Sequence, residues 1–172
     1  MSYVKRIATC AVLVALALAL SYVERMIPLQ LVIPLPGVKL GLANIVTLIA
    51  LYLLGTKAAF FILIPRCILG AVFGGGITGL LFSLTGGALA LGVMVLCKKL
   101  PMISVYGISV LGAAAHNIGQ IFAAMILLRS VAVGAYLPYL MSIGIATGLA
   151  VGAACSGVLR ILVKNLRWEE VR

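Results

Sequence analysis

Long apolar runs dominate this chain, separated by short clusters of proline, glycine and charged residues. Six runs stand out, at about 7–27, 38–54, 58–74, 77–97, 104–128 and 136–163. A helix rises 1.5 Å per residue, so roughly 20 residues cross a hydrocarbon core of about 30 Å. The pattern predicts an all-α membrane protein: six transmembrane helices in one integral membrane domain over residues 1–172, surrounded by membrane lipid. The connections are short and leave no room for a separate catalytic domain. The first run resembles a signal peptide in its Lys5-Arg6 start, but its apolar pattern continues to Ile27.

Small residues recur at helical spacing inside these runs. Gly144, Gly148, Gly152 and Ser156 repeat every fourth position in the last one. Lipid offers no hydrophobic drive for helix association, so such ridges serve close backbone packing. Ala11, Ala15 and Ala19 make a similar stripe on the first run. That stripe either packs inside the bundle or docks another membrane protein.

Polar residues interrupt the runs at particular depths. Glu24 and Arg25 close the first run, and Lys39 and Asn44 open the second. Arg66 follows Pro65 in the third; that proline leaves the carbonyl of Phe61 without its helical partner. Thr78, Ser83 and Thr85 lie in the fourth. His116 and Gln120, four apart and on one face, lie in the fifth with Asn117 beside them. Ionisable groups at membrane depth are costly, so they point to function. The connector over 28–37 is apolar but carries three prolines, which exclude a helix and suit a rigid lid or an interfacial loop. Gly74-Gly75-Gly76 reads as a tight turn.

Composition sharpens this picture. Of 172 residues, 65% are hydrophobic and 9% charged, too few charges to cover a water-facing surface. The net charge of +10 comes from cations at run ends and in connectors, with no basic stripe interleaved with aromatics, so nucleic acid is not the expected partner. Placing the N-terminus in the cytoplasm puts nine cations inside (Lys5, Arg6, Lys57, Lys98, Lys99, Arg160, Lys164, Arg167, Arg172). Three fall outside (Arg25, Lys39, Arg129), with Arg66 in mid-span. That bias predicts both termini cytoplasmic at a cell membrane. In this orientation Glu24, Lys39, Asn44, Thr78, Asn117 and Gln120 share the outer half, and Arg66 and His116 lie near the midplane. Separate segments thus contribute polar groups at one depth, as an outward-facing substrate site requires. Arg66 either pairs with Glu24 or meets ligand. With Lys39 and Arg25 unpaired, the site is net positive and favours an anionic solute.

Some chemistry is missing. There is no aspartate, and two of the three glutamates, Glu169 and Glu170, lie in the C-terminal tail. No carboxylate pair exists for Mg²⁺ or for acid–base work, and no phosphate loop or nucleophile motif occurs. Cys10, Cys67, Cys97 and Cys155 are widely spaced and His116 is the single histidine, so no metal site is expected. The sequence predicts no catalytic residues, no cofactor and no enzyme activity of its own.

Several stretches resemble one known family. They are Glu24-Arg25-Met26-Ile27-Pro28, Pro36-Gly37-Val38-Lys39-Leu40-Gly41-Leu42-Ala43-Asn44 and Arg66-Cys67-Ile68-Leu69-Gly70, with Phe82-Ser83-Leu84-Thr85-Gly86-Gly87 and His116-Asn117-Ile118-Gly119-Gln120. Over about residues 5–165 the chain is similar to the Gx transporter family, whose members also carry the label heptaprenyl diphosphate synthase component I. That family is grouped with the substrate-binding S components of energy-coupling factor (ECF) transporters. The resemblance implies an S-component-like bundle with an outer site capped by the first loop. It also implies partners: a transmembrane coupling protein met by Ala11, Ala15 and Ala19, and two cytosolic ATPase subunits. An isoprenoid or quinone precursor suits a greasy, net-positive pocket. The competing expectations are a non-catalytic membrane subunit of heptaprenyl diphosphate or menaquinone biosynthesis, and a solitary small permease.

Overall fold

Ten residues, Asn44–Leu53, form the centre of the computed structural model, which describes residues 3–27 and 39–165. This segment, α2, is apolar on nearly every side and packs against all the other helices. A helix hydrophobic all round belongs in an interior. Val46, Leu48, Ala50 and Leu51 are at most 1% exposed.

Around it run α1 (Tyr3–Arg25), α3 (Thr56–Gly70), α4 (Gly76–Lys98), α5 (Val105–Leu128) and α6 (Leu137–Asn165). A short 3₁₀ turn, Val131–Tyr136, leads into α6. Among the described residues every regular element is helical. Leu13, Ile62, Leu63, Met94, Ile108 and Cys155 complete the main core around α2. A smaller cluster of Phe82, Ile121, Ala124, Val133 and Leu140 joins α4, α5 and α6 at the other end.

Four stretches are long and apolar enough to cross a membrane: Tyr3–Arg25, Thr56–Lys98, Val105–Leu128 and Val131–Leu162. The apolar pattern predicts six such spans. The difference has two sources. The second run, expected over 38–54, is helical among its described residues 39–54 only in α2, about 15 Å long at 1.5 Å per residue. Gly41, at φ +83°, turns the chain just before it. The third and fourth runs are joined as one helical stretch, whose torsions depart from helical values at Phe73 and Gly74 (φ +108°). There the chain folds back, so that a methyl group on Gly87 would lie against Leu63 and Arg66. The glycine triplet is therefore the expected reversal. Pro65 sits within α3 without ending it.

Close backbone approach joins the later helices. A methyl on Gly148 would lie 2.8 Å from the Cα of Val110, and one on Gly152 3.1 Å from that of Tyr106. The small-residue ridge of α6 thus packs internally, on α5. Gly119 meets α4 in the same way, at Thr85 and Gly86.

The two ends of the bundle differ chemically. At one end, cations from α1 and α4 cap the C-terminal carbonyls of α2. Arg6 donates to Leu54 O (3.1 Å) and Lys98 to Leu51 O (2.7 Å), where the ammonium also lies 4.8 Å from the ring centre of Tyr52. A cation is favoured at a helix C-terminus by the helix dipole. The other end gathers buried polar side chains. The connector over 28–37 and the tail with Arg167 and Arg172 lie outside the described residues, as does the side chain of Lys164.

Candidate functional site

Five helices or their leading turns deliver polar groups to one level of the bundle. Glu24 comes from the end of α1, and Lys39 and Gly41 from the turn before α2. Asn44 opens α2, Arg66 lies late in α3, Ser83 early in α4, and His116 and Gln120 in α5. Glu24, Asn44, Arg66, His116 and Gln120 are all buried, Gln120 completely. A small cavity of about 20 Å³ lies among Ser21, Glu24, Lys39, Gly41, Ala43, Arg66, Ser83 and His116. That volume holds roughly one water molecule.

The hydrogen bonds show how the groups are held. Glu24 Oε1 accepts from the main-chain N–H of Gly41 (2.5 Å). Gly41 can present that N–H because its positive φ is open to glycine at little steric cost. Lys39 Nζ donates to Ser83 Oγ (2.7 Å). Gln120 clasps the main chain of Lys39 on both sides: its Oε1 accepts from Lys39 N and its Nε2 donates to Lys39 O, each at 3.0 Å. Arg66 Nη2 donates to Asn44 Oδ1 (3.2 Å). Arg66 lies within electrostatic reach of Glu24, and its hydrogen-bond partner is the amide of Asn44.

His116 occupies a slot walled by two glycines. A methyl group on Gly86 would lie 2.8 Å from its Nδ1, and one on Gly41 3.2 Å from its Cδ2. The absence of those two methyls is what lets the ring sit between α4 and the turn before α2.

Several of these buried polar atoms have no partner. They include Arg66 Nε and Asn44 Nδ2, with Thr47 Oγ1 and Ser109 Oγ further off in the bundle; the His116 ring makes no hydrogen bond of good geometry and lies with one edge against the main chain of Gly86. Buried polar groups are normally satisfied, because leaving one unmade costs about 1–3 kcal/mol. Of these residues, Arg66 lines the small cavity, and Asn44 bonds to it.

Not every residue singled out in the sequence joins this cluster. Thr78 is exposed, since the buried face of α4 runs through Gly79 and Phe82. Asn117 is buried but turns toward α6, donating to Leu140 O (2.7 Å) against Gly144. One residue along a helix is a rotation of about 100°, enough to take it off the face shared by His116 and Gln120. Arg25 is not a free outer cation. Its guanidinium donates to the carbonyls of Gly70 and Phe73 (2.8 Å for the latter), where the helical torsions break down. Ser21, Gly41, Ser83 and Gly86 are members that the sequence did not single out as site residues. Ser21 lies three residues before Glu24, on the same face of α1. The roles of Gly41 and Gly86 rest on backbone shape and have no side-chain signature.

The Ala11, Ala15 and Ala19 stripe is exposed along its length. Beside it, an apolar groove of about 440 Å³ runs between α1 and the α3–α4 turn, lined by Leu18, Ala19, Tyr22, Arg25, Gly70 and Phe73. Among the described residues, no three His, Cys, Asp or Glu side chains come together to hold a metal ion. The four cysteines are free.

A family model described as heptaprenyl diphosphate synthase component I matches residues 13–158. No curated protein matches the chain, and no solved structure does.

Proposed function

Because this chain belongs to the heptaprenyl diphosphate synthase component I family, with long apolar helices that fit a membrane protein, we propose that it is a substrate-binding membrane subunit. It acts as the S component of an ECF-type importer and captures a small anionic or isoprenoid- or quinone-precursor-like solute. The observation that carries this reading is the convergence of Glu24, Lys39, Asn44, Arg66 and His116 at one level, with orphaned polar atoms beside a cavity.

The distribution of cations supports a topology with this level in the outer half of the membrane and both termini in the cytoplasm. The chain then crosses six times, with α2 and the turn before it completing the second crossing. On this reading Glu24, Lys39, Asn44, Arg66 and His116 face the solute, and Gln120 holds the Lys39 segment in place. Thr78 and Asn117 lie outside the site. The exposed alanine stripe, continuous with the apolar groove at Ala19, supports docking of a transmembrane coupling protein that joins two cytosolic ATPases. The chain contributes no catalytic residue.

Affinity purification from mild detergent, with mass spectrometry of proteins and bound small molecules, tests this. A coupling protein with two ATPases is the expected result. The family's description favours a second reading, a non-catalytic membrane subunit of a prenyl diphosphate synthase. Recovery of a prenyl synthase subunit, with elongation activity that depends on this chain, would select it. Uptake into vesicles without any ATPase would instead mark a solitary permease.

A further inference from the structure

Within the solute-binding reading, on which this step rests, the site's chemistry narrows the solute class. We infer that the cluster around Arg66 receives a carboxylate monoanion and discriminates against phosphates and diphosphates.

The orphaned atoms are mostly donors. Arg66 Nε carries one N–H and Asn44 Nδ2 two, while the N–H of a neutral His116 imidazole faces the main chain of Gly86. One edge of the Arg66 guanidinium is already held by Asn44, which fixes its plane and leaves Nε free. A planar two-oxygen acceptor suits a guanidinium fork; Arg–carboxylate pairs adopt that geometry. The second ring nitrogen of His116 is an acceptor and fits a hydroxyl or N–H carried near the carboxylate.

Charge sets the valence. Lys39 and Arg66 face Glu24, which leaves one net positive charge at this level. A carboxylate balances it. A phosphate group brings about −1.5 to −2 and a diphosphate more, leaving uncompensated negative charge in a water-poor interior. The next cation along α1, Arg25, is not among the cavity's lining residues; the Gly70 and Phe73 carbonyls hold its guanidinium away from the solute without cancelling its charge. Diphosphates are commonly held through Mg²⁺, and the site has a single carboxylate to offer one. The cavity's size agrees in sense, since about 20 Å³ admits roughly one oxygen-sized atom and favours a small anionic group over a bulky one.

The test uses the purified full-length chain in dodecylmaltoside, with acetate, its neutral isostere acetamide, methylphosphonate and pyrophosphate at matched ionic strength. Thermal unfolding and ¹³C line broadening report binding. Acetate is expected to bind saturably and raise the melting temperature, and the other three are not. Arg66→Lys keeps the charge and loses the fork, and should weaken acetate binding by about tenfold or more. His116→Gln provides the same test if the lysine variant does not fold. Thr78→Ala, on an exposed position, should leave binding unchanged. Equal binding of acetamide, or tighter binding of pyrophosphate or methylphosphonate, overturns the carboxylate assignment and leaves solute binding itself standing. No saturable binding of any probe, or acetate binding untouched by both variants, overturns the inference; recovery of bound solute and coupling protein from cells then judges the broader reading separately.

Discussion

The side chain of Gln120 and the main chain of Lys39, 81 positions apart, exchange two hydrogen bonds of 3.0 Å. That clasp ties the segment entering α2 to the middle of α5. It sets the height at which Lys39, Gly41 and Asn44 meet Arg66 and His116. Gln120→Ala removes both bonds and leaves two main-chain groups without partners. The expected loss is about 1–3 kcal/mol of stability, read as a lower unfolding midpoint in detergent. Solute binding should fall as well, since three site residues lose their register. Gln120→Glu keeps one acceptor and should retain part of both.

Gly86 and His116 make the complementary prediction. A methyl at Gly86 would sit 2.8 Å from the imidazole Nδ1, so Gly86→Ala must displace the ring. Overpacking of this kind costs roughly 1–3 kcal/mol. Solute affinity should fall together with stability, because the methyl displaces the ring and also meets the main-chain oxygen of His116 (3.0 Å) where α4 and α5 touch. Isothermal titration beside thermal unfolding separates the two effects. Equal binding by the wild type and Gly86→Ala would show that His116 does not contact the solute.

Asn117 should behave differently from its neighbour. It bonds the Leu140 carbonyl across the α5–α6 interface and does not reach the cluster. Asn117→Ala is expected to cost on the order of 1 kcal/mol in stability with unchanged solute affinity. Gly148→Leu, on the same interface, should be far more damaging, because its side chain would run into the Val110 backbone. Unfolding curves of the two variants against wild type provide the check.

The alanine stripe offers a test independent of the pocket. Ala15 is exposed on α1, so Ala15→Trp should leave the unfolding free energy within about 0.5 kcal/mol of wild type. It should also abolish co-purification of the coupling protein. An unchanged yield of that partner would move the docking surface elsewhere.

Much of the cluster was legible as spacing. Polar residues in separate apolar runs fall at one depth once the chain folds up and down, and Glu24, Lys39, Asn44, Arg66, His116 and Gln120 do meet. The turn at Gly74–Gly76 and the internal role of the Gly144–Gly152 ridge followed from residue type alone. Rotation about a helix axis was harder to read. Asn117 and Thr78 share the depth of the cluster but face away from it, and depth says nothing about azimuth. The partners of Arg25 were hidden because they are main-chain carbonyls, which carry no residue identity. The shortness of α2 was also hidden: the apolar run over 38–54 records burial, and buried non-helical backbone before Asn44 is as apolar as helix.

The central claim is that the atoms around Arg66 and His116 hold the transported solute. Native mass spectrometry of the chain purified with its partners, wild type beside Arg66→Lys and His116→Gln, tests it most directly. A bound small molecule is expected on the wild type and lost from both variants, with the coupling protein retained in all three. A molecule kept at full occupancy by both variants would contradict the account.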